Sequence, residues 1–66
     1  MEYQNKHGFI FTVNAVSGEW YVEKTRADWM NKGYVVFQEV AGGYDTREQA
    51  EKRLATMANR YGWKKL

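Results

Sequence analysis

Sixty-six residues form one small domain with a single core, too short to hold a second core or a deep substrate cavity. There is no cysteine, which excludes a disulfide framework and thiolate metal sites. The net charge of +2 is unevenly spread: residues 1–43 hold four basic and five acidic side chains, residues 44–66 six basic and three acidic.

The start, "MEYQNKHG", has neither the basic opening nor the apolar stretch of a signal peptide, and no apolar run is long enough for a transmembrane helix, so a cytoplasmic protein without membrane association is expected. The first clear elements are "FIFTVNAV" (9–16) and "EWYVEKT" (19–25), rich in β-branched and aromatic residues and separated only by Ser17-Gly18, a pair suited to a tight hairpin turn. A two-residue loop sets Ala15 opposite Trp20, Val13 opposite Val22 and Phe11 opposite Lys24 on one face. It sets Thr12 opposite Glu23 and Asn14 opposite Tyr21 on the other. The apolar set therefore faces a core, and Lys24 reaches the edge by its aliphatic stem.

The following segment, "TRADWMNKG", has Thr25 and Asp28 at capping-box spacing, and reads either as one or two helical turns ending at Gly33 or as an irregular loop. "YVVFQEV" (34–40) predicts a third strand whose inward set is either Val35 and Phe37 or Val36 and Val40. The last element is a helix over about 47–61. Thr46 and Gln49 form a capping box, Ala50, Leu54, Met57, Ala58 and Tyr61 make an apolar stripe about 100° wide, and Gly62 stops it. The fold class is α+β: a three-stranded antiparallel sheet packed by one C-terminal amphipathic helix, with residues 1–66 as the domain.

No catalytic constellation assembles. His7 is the sole histidine and lacks a nucleophile nearby. Ser17 is accounted for by the turn. Glu19 and Glu23 lie roughly 13 Å apart along a strand rising about 3.3 Å per residue, too far for a glycosidase pair or a shared metal. Gly42-Gly43 lacks the remaining residues of a phosphate loop, and Asp45 opposes an anion at the helix start. The expectation is a protein that is not an enzyme and uses no cofactor or metal.

Binding remains, and two surfaces compete for it. The outer hairpin face carries Thr12, Asn14, Glu19, Tyr21 and Glu23, extended by Trp29 and Asp28. An aromatic ringed by carboxylates suits a basic protein partner. In the competing reading Tyr21 only completes a ladder with Asn14, and Trp29 is core. The second surface is basic: Lys52, Arg53 and Arg60, with Gln49 and Thr56 on the same helix flank and Lys64 and Lys65 beyond, could contact phosphates. Its plain alternative is a solvated helix face carrying a Glu48–Lys52 pair. A third reading is homodimerisation through an unpaired sheet edge.

Three strands followed by a helix, with "GEWYV" in the second strand and "YDTREQAEKRL" opening the helix, resembles the Arm-type DNA-binding domain of tyrosine recombinases. The resemblance rests on Trp20, Tyr44, Thr46 and Ala50 and spans about residues 9–61. It implies a sheet whose outer face enters the major groove. Here Thr12, Asn14, Glu19, Tyr21 and Glu23 occupy that face, and two carboxylates oppose docking on phosphates. In general character the chain also resembles the small accessory proteins of phages and mobile elements, many of which inhibit a host protein by binding it, as anti-CRISPR proteins do. By elimination, a protein-binding modulator or inhibitor comes first and a nucleic-acid-binding accessory module second.

Overall fold

A computed structural model describes residues 1–30 and 36–66. Along the chain run strands β1 (Tyr3–Gln4), β2 (Phe9–Val16) and β3 (Glu19–Arg26), a short helix α1 (Ala27–Met30), strand β4 (Gln38–Tyr44), helix α2 (Arg47–Tyr61) and strand β5 (Lys64–Lys65). The fold is α+β, with one antiparallel sheet and one long C-terminal helix. The expectation of three strands is corrected, because the described sheet has five, in the order β4-β3-β2-β1-β5.

The β2–β3 hairpin has the expected register, with Val13 opposite Val22, Ala15 opposite Trp20, Phe11 opposite Lys24, Thr12 opposite Glu23 and Asn14 opposite Tyr21. Ser17 and Gly18 both adopt positive φ (52° and 82°), the geometry of a two-residue turn whose twist matches that of the strands. With the loop length fixed, alternation assigns every side chain to a face.

α2 also lies where expected. Thr46 accepts from the Gln49 N–H at 3.2 Å, and the Gln49 side chain accepts from the Thr46 N–H at 3.1 Å, closing the capping box. At the other end Gly62 (φ 72°) reverses the chain, and its N–H and that of Trp63 both donate to the Ala58 carbonyl. α2 buries Ala50, Leu54, Met57 and Ala58 against Phe11 and Val22. Tyr61 does not join them: it is 59 % exposed, although it lies on the apolar stripe. The Gly62 reversal brings Trp63 over the sheet instead, stacked on Phe11 at 3.7 Å between ring centroids. From there β5 pairs with β1, Lys65 opposite Tyr3 and Lys64 opposite Gln4.

β4 lies four residues later than the expected strand start at 34, and residues 34–35, like the proposed turn end at Gly33, fall outside the described set. Val36, Phe37 and Val40 are all exposed, and the residue of this segment that packs toward the core is Ala41. The displacement has a physical reason. β4 bulges twice against β3, between Trp20 and Val22 and between Val22 and Glu23. Its Gly42 and Gly43 lie beneath Tyr21 and Glu19: a side chain at Gly42 would run into the Tyr21 ring, and one at Gly43 into the Glu19 carboxylate. Close approach to Tyr21 and Glu19 is what requires glycine at both positions of the strand.

The helical-turn reading of 27–30 holds, but its cap does not. Thr25 belongs to β3, paired with Ile10, and its Oγ1 is buried without a partner, while the Asp28 carboxylate accepts from Arg26 Nε at 3.0 Å.

Candidate functional site

Alternation along β2 and β3 splits the sheet into a face covered by α2 and an open face. Phe9, Phe11 and Val13 lie on the covered side with Val22, and the cations of that side are placed over aromatic rings. Lys24 Nζ sits 4.8 Å and the Arg26 guanidinium 5.0 Å from the Phe9 centroid, and the Arg47 guanidinium 6.0 Å from Trp20.

The open face gathers Thr12, Asn14, Glu19, Tyr21 and Glu23, as the hairpin pattern requires. Asn14 Nδ2 donates to Glu23 Oε1 at 2.8 Å across the ladder, and Tyr21 donates its hydroxyl to Glu19 Oε2 at 2.7 Å. That bond, followed by partial burial and the negative charges of Glu19 and Glu39, raises the Tyr21 pKa above its ordinary value. The Gly42-Gly43 backbone lies close beneath both side chains, so the aromatic ring rests on β4 while its hydroxyl is bonded to the Glu19 carboxylate.

Sequence reasoning missed several members of this surface. Glu39 of β4 sits directly opposite Glu23, which is only 6 % exposed. Glu2, Ile10, Thr25 and Phe37 join Thr12 and Asn14 around a recess of about 320 Å³. Ile10 and Thr25 were readable, since they continue the alternation by one step beyond Thr12 and Glu23. Glu2, Glu39 and Phe37 reach the face only through β1, the bulged β4 and the segment before β4, which carry no periodic signal.

Trp29 stands apart from this face. It packs edge-on against Phe9 at 5.9 Å, on the side that α2 covers. The basic candidates divide as well. Lys52, Arg53 and Arg60 are exposed on α2, and Arg60 lies 5.9 Å from the Tyr61 ring. Lys64 and Lys65 do not extend that flank, because they alternate in β5: Lys65 pairs with Tyr3 on the helix side and Lys64 with Gln4 on the open side.

Electrostatically the open face is mainly acidic, with Lys64 at its β5 edge. Glu2, Glu19, Glu23 and Glu39 lie on it or at its rim, and both ion pairs among the described residues, Arg26–Asp28 and Arg47–Glu51, lie elsewhere. Like charges directly opposite in a ladder, as at Glu23 and Glu39, repel. Among the described residues no group of His, Cys, Asp or Glu is arranged to hold a metal ion, and no helix is long and apolar enough to cross a membrane. Comparison with protein-family profiles, with curated proteins and with solved structures finds no match to this chain.

Proposed function

We propose that this chain is a small non-enzymatic cytoplasmic binding protein that captures a basic protein partner on the open face of its sheet. It modulates or inhibits the partner by occupying it, in the manner of phage and mobile-element accessory proteins. One observation carries the reading: a sheet face left open by the helix concentrates four carboxylates on the side that holds Tyr21, bonded to Glu19, with no cation among the described residues paired to them. Tyrosine held in this way loses little entropy on binding, and an arriving cation relieves the Glu23–Glu39 repulsion while the acidic field steers encounter.

The test is capture from lysate, with and without nuclease, by the parent protein and by a Glu19→Arg/Glu39→Arg variant. Both positions are exposed, so the fold should persist, as circular dichroism would verify. The expected result is a nuclease-insensitive partner that the double variant loses. Equal capture by the variant, or capture that nuclease abolishes, would defeat the reading.

The exposure of Lys52, Arg53 and Arg60 favours a second reading, nucleic-acid binding through the basic flank of α2. It requires salt-sensitive retention of DNA or RNA, and a flat mobility-shift titration at low salt dismisses it. Docking of the sheet in a major groove, as in Arm-type domains, would bring Glu19, Glu23 and Glu39 against phosphates.

A further inference from the structure

Each polar side chain that lines the recess on the open face, Glu2, Thr12, Asn14 and Thr25, has an oxygen that can accept a hydrogen bond. Thr25 is 3 % exposed and its Oγ1 has no hydrogen-bond partner, which leaves a buried hydroxyl unsatisfied in a strand where valine would fill the same space. Asn14 lines the same recess. Because the Glu23 carboxylate can only accept, the 2.8 Å bond between them takes one of the two Asn14 Nδ2 hydrogens and fixes which end of the amide turns to Glu23, leaving the amide oxygen free to accept. Thr12 adds a hydroxyl, Glu2 a carboxylate, and Ile10 and the exposed Phe37 supply apolar walls. A volume of about 320 Å³ is near the lower end of the range of about 300–1,000 Å³ for ligand sites, room for one side chain rather than a cofactor.

Acceptors on the floor, a carboxylate at the side and an aromatic wall call for a flat cation with several donors. We infer that this recess receives an arginine side chain of the protein partner, its guanidinium donating to Thr25 and its neighbours and stacking against Phe37. This rests on the proposal that the open face is the binding surface and names the residue that anchors there.

The test is an amide-shift titration of ¹⁵N-labelled protein with Nα-acetyl-arginine methylamide, alongside the lysine analogue and the citrulline analogue, which keeps the shape but has no charge. Arginine should shift the amides of Ile10, Thr12, Asn14 and Thr25, lysine should bind more weakly, and citrulline should bind at least about ten-fold more weakly, the loss expected when a charge-assisted hydrogen bond is removed. Thr25→Val should fold at least as well as the parent and bind the arginine analogue about ten-fold more weakly. If that variant does not fold, Phe37→Ala, at an exposed position, should show weakened binding instead. The inference is overturned if the arginine analogue shifts none of these amides, if citrulline binds equally well, or if the folded variant keeps full affinity. Capture by the parent that is still lost in Glu19→Arg/Glu39→Arg would then leave the open face as the binding surface and dismiss only the recess.

Discussion

The two faces of the sheet are built on opposite terms. On the side covered by α2, the buried side chains are Phe11, Val22, Leu54 and Met57, joined by Trp63 from beyond the helix, and the cations there lie over aromatic rings. On the open side the described residues that escape water are Glu23 and Thr25, both polar, one engaged by Asn14 and the other unpartnered. Hydrophobic burial scales with apolar area, so the covered face supplies most of the stability, and the open face can carry repelling carboxylates and an orphan hydroxyl. A small domain with one core can specialise its surfaces in this way only if the folding energy is concentrated on one side.

The largest expected effect tests that division directly. Leu54 is fully buried, and Leu54→Ala should lower stability by about 2–5 kcal/mol in urea denaturation, a large share of the total for a domain of this size. Exposed changes on the opposite face, Glu19→Arg with Glu39→Arg, should stay within about 0.5 kcal/mol per site or stabilise, since they remove like charge. If the two sets of changes destabilise equally, the faces do not divide the work as described.

Thr46→Ala comes next. It removes the side-chain acceptor for the Gln49 N–H at the start of α2, and should cost about 1 kcal/mol by the same measurement. Thr25→Val should act in the opposite direction from changes on the covered face. A methyl group replaces an unsatisfied hydroxyl, so stability should be unchanged or rise by up to about 1 kcal/mol, whereas an equally buried Val22→Ala should lose stability. A clear loss in Thr25→Val would show that the hydroxyl has a folding role.

How much of this was readable depended on whether a local rule fixed each element. The Ser17-Gly18 loop sets the hairpin register, so the composition of both faces followed from counting outward from the turn. Thr46, Gln49 and Gly62 mark the ends of α2 chemically, so its bounds followed too. β1 and β5 are two residues each and find one another from distant parts of the chain, leaving no periodicity to read. β4 overlaps the expected strand only at 38–40, because the β-branched run before it reads more like a strand than "QEVAGGY", whose glycines matter only once Tyr21 and Glu19 lie on them. The same kind of long-range packing exchanged Tyr61 for Trp63 in the core. On the candidate site, the five hairpin residues were legible by alternation, whereas the recess required Glu2 and Phe37, which only the tertiary fold brings together.

The smallest effect concerns the open face alone and changes protonation rather than stability at neutral pH. Tyr21 donates to Glu19, and this bond, with partial burial and the nearby charges of Glu19 and Glu39, holds its pKa above the ordinary phenol value of about 10. The folded pKa exceeds the unfolded one, so the contribution of the bond is complete below about pH 10 and disappears as pH rises through the folded value. Following the Tyr21 ring carbon by NMR from neutral to alkaline pH should show this elevated titration. In Glu19→Gln it should fall back toward about 10, because the amide carries no charge to oppose the phenolate. A Tyr21 titration that does not move in that variant would mean that Glu19 does not hold the ring hydroxyl, and the open face would lose its fixed aromatic.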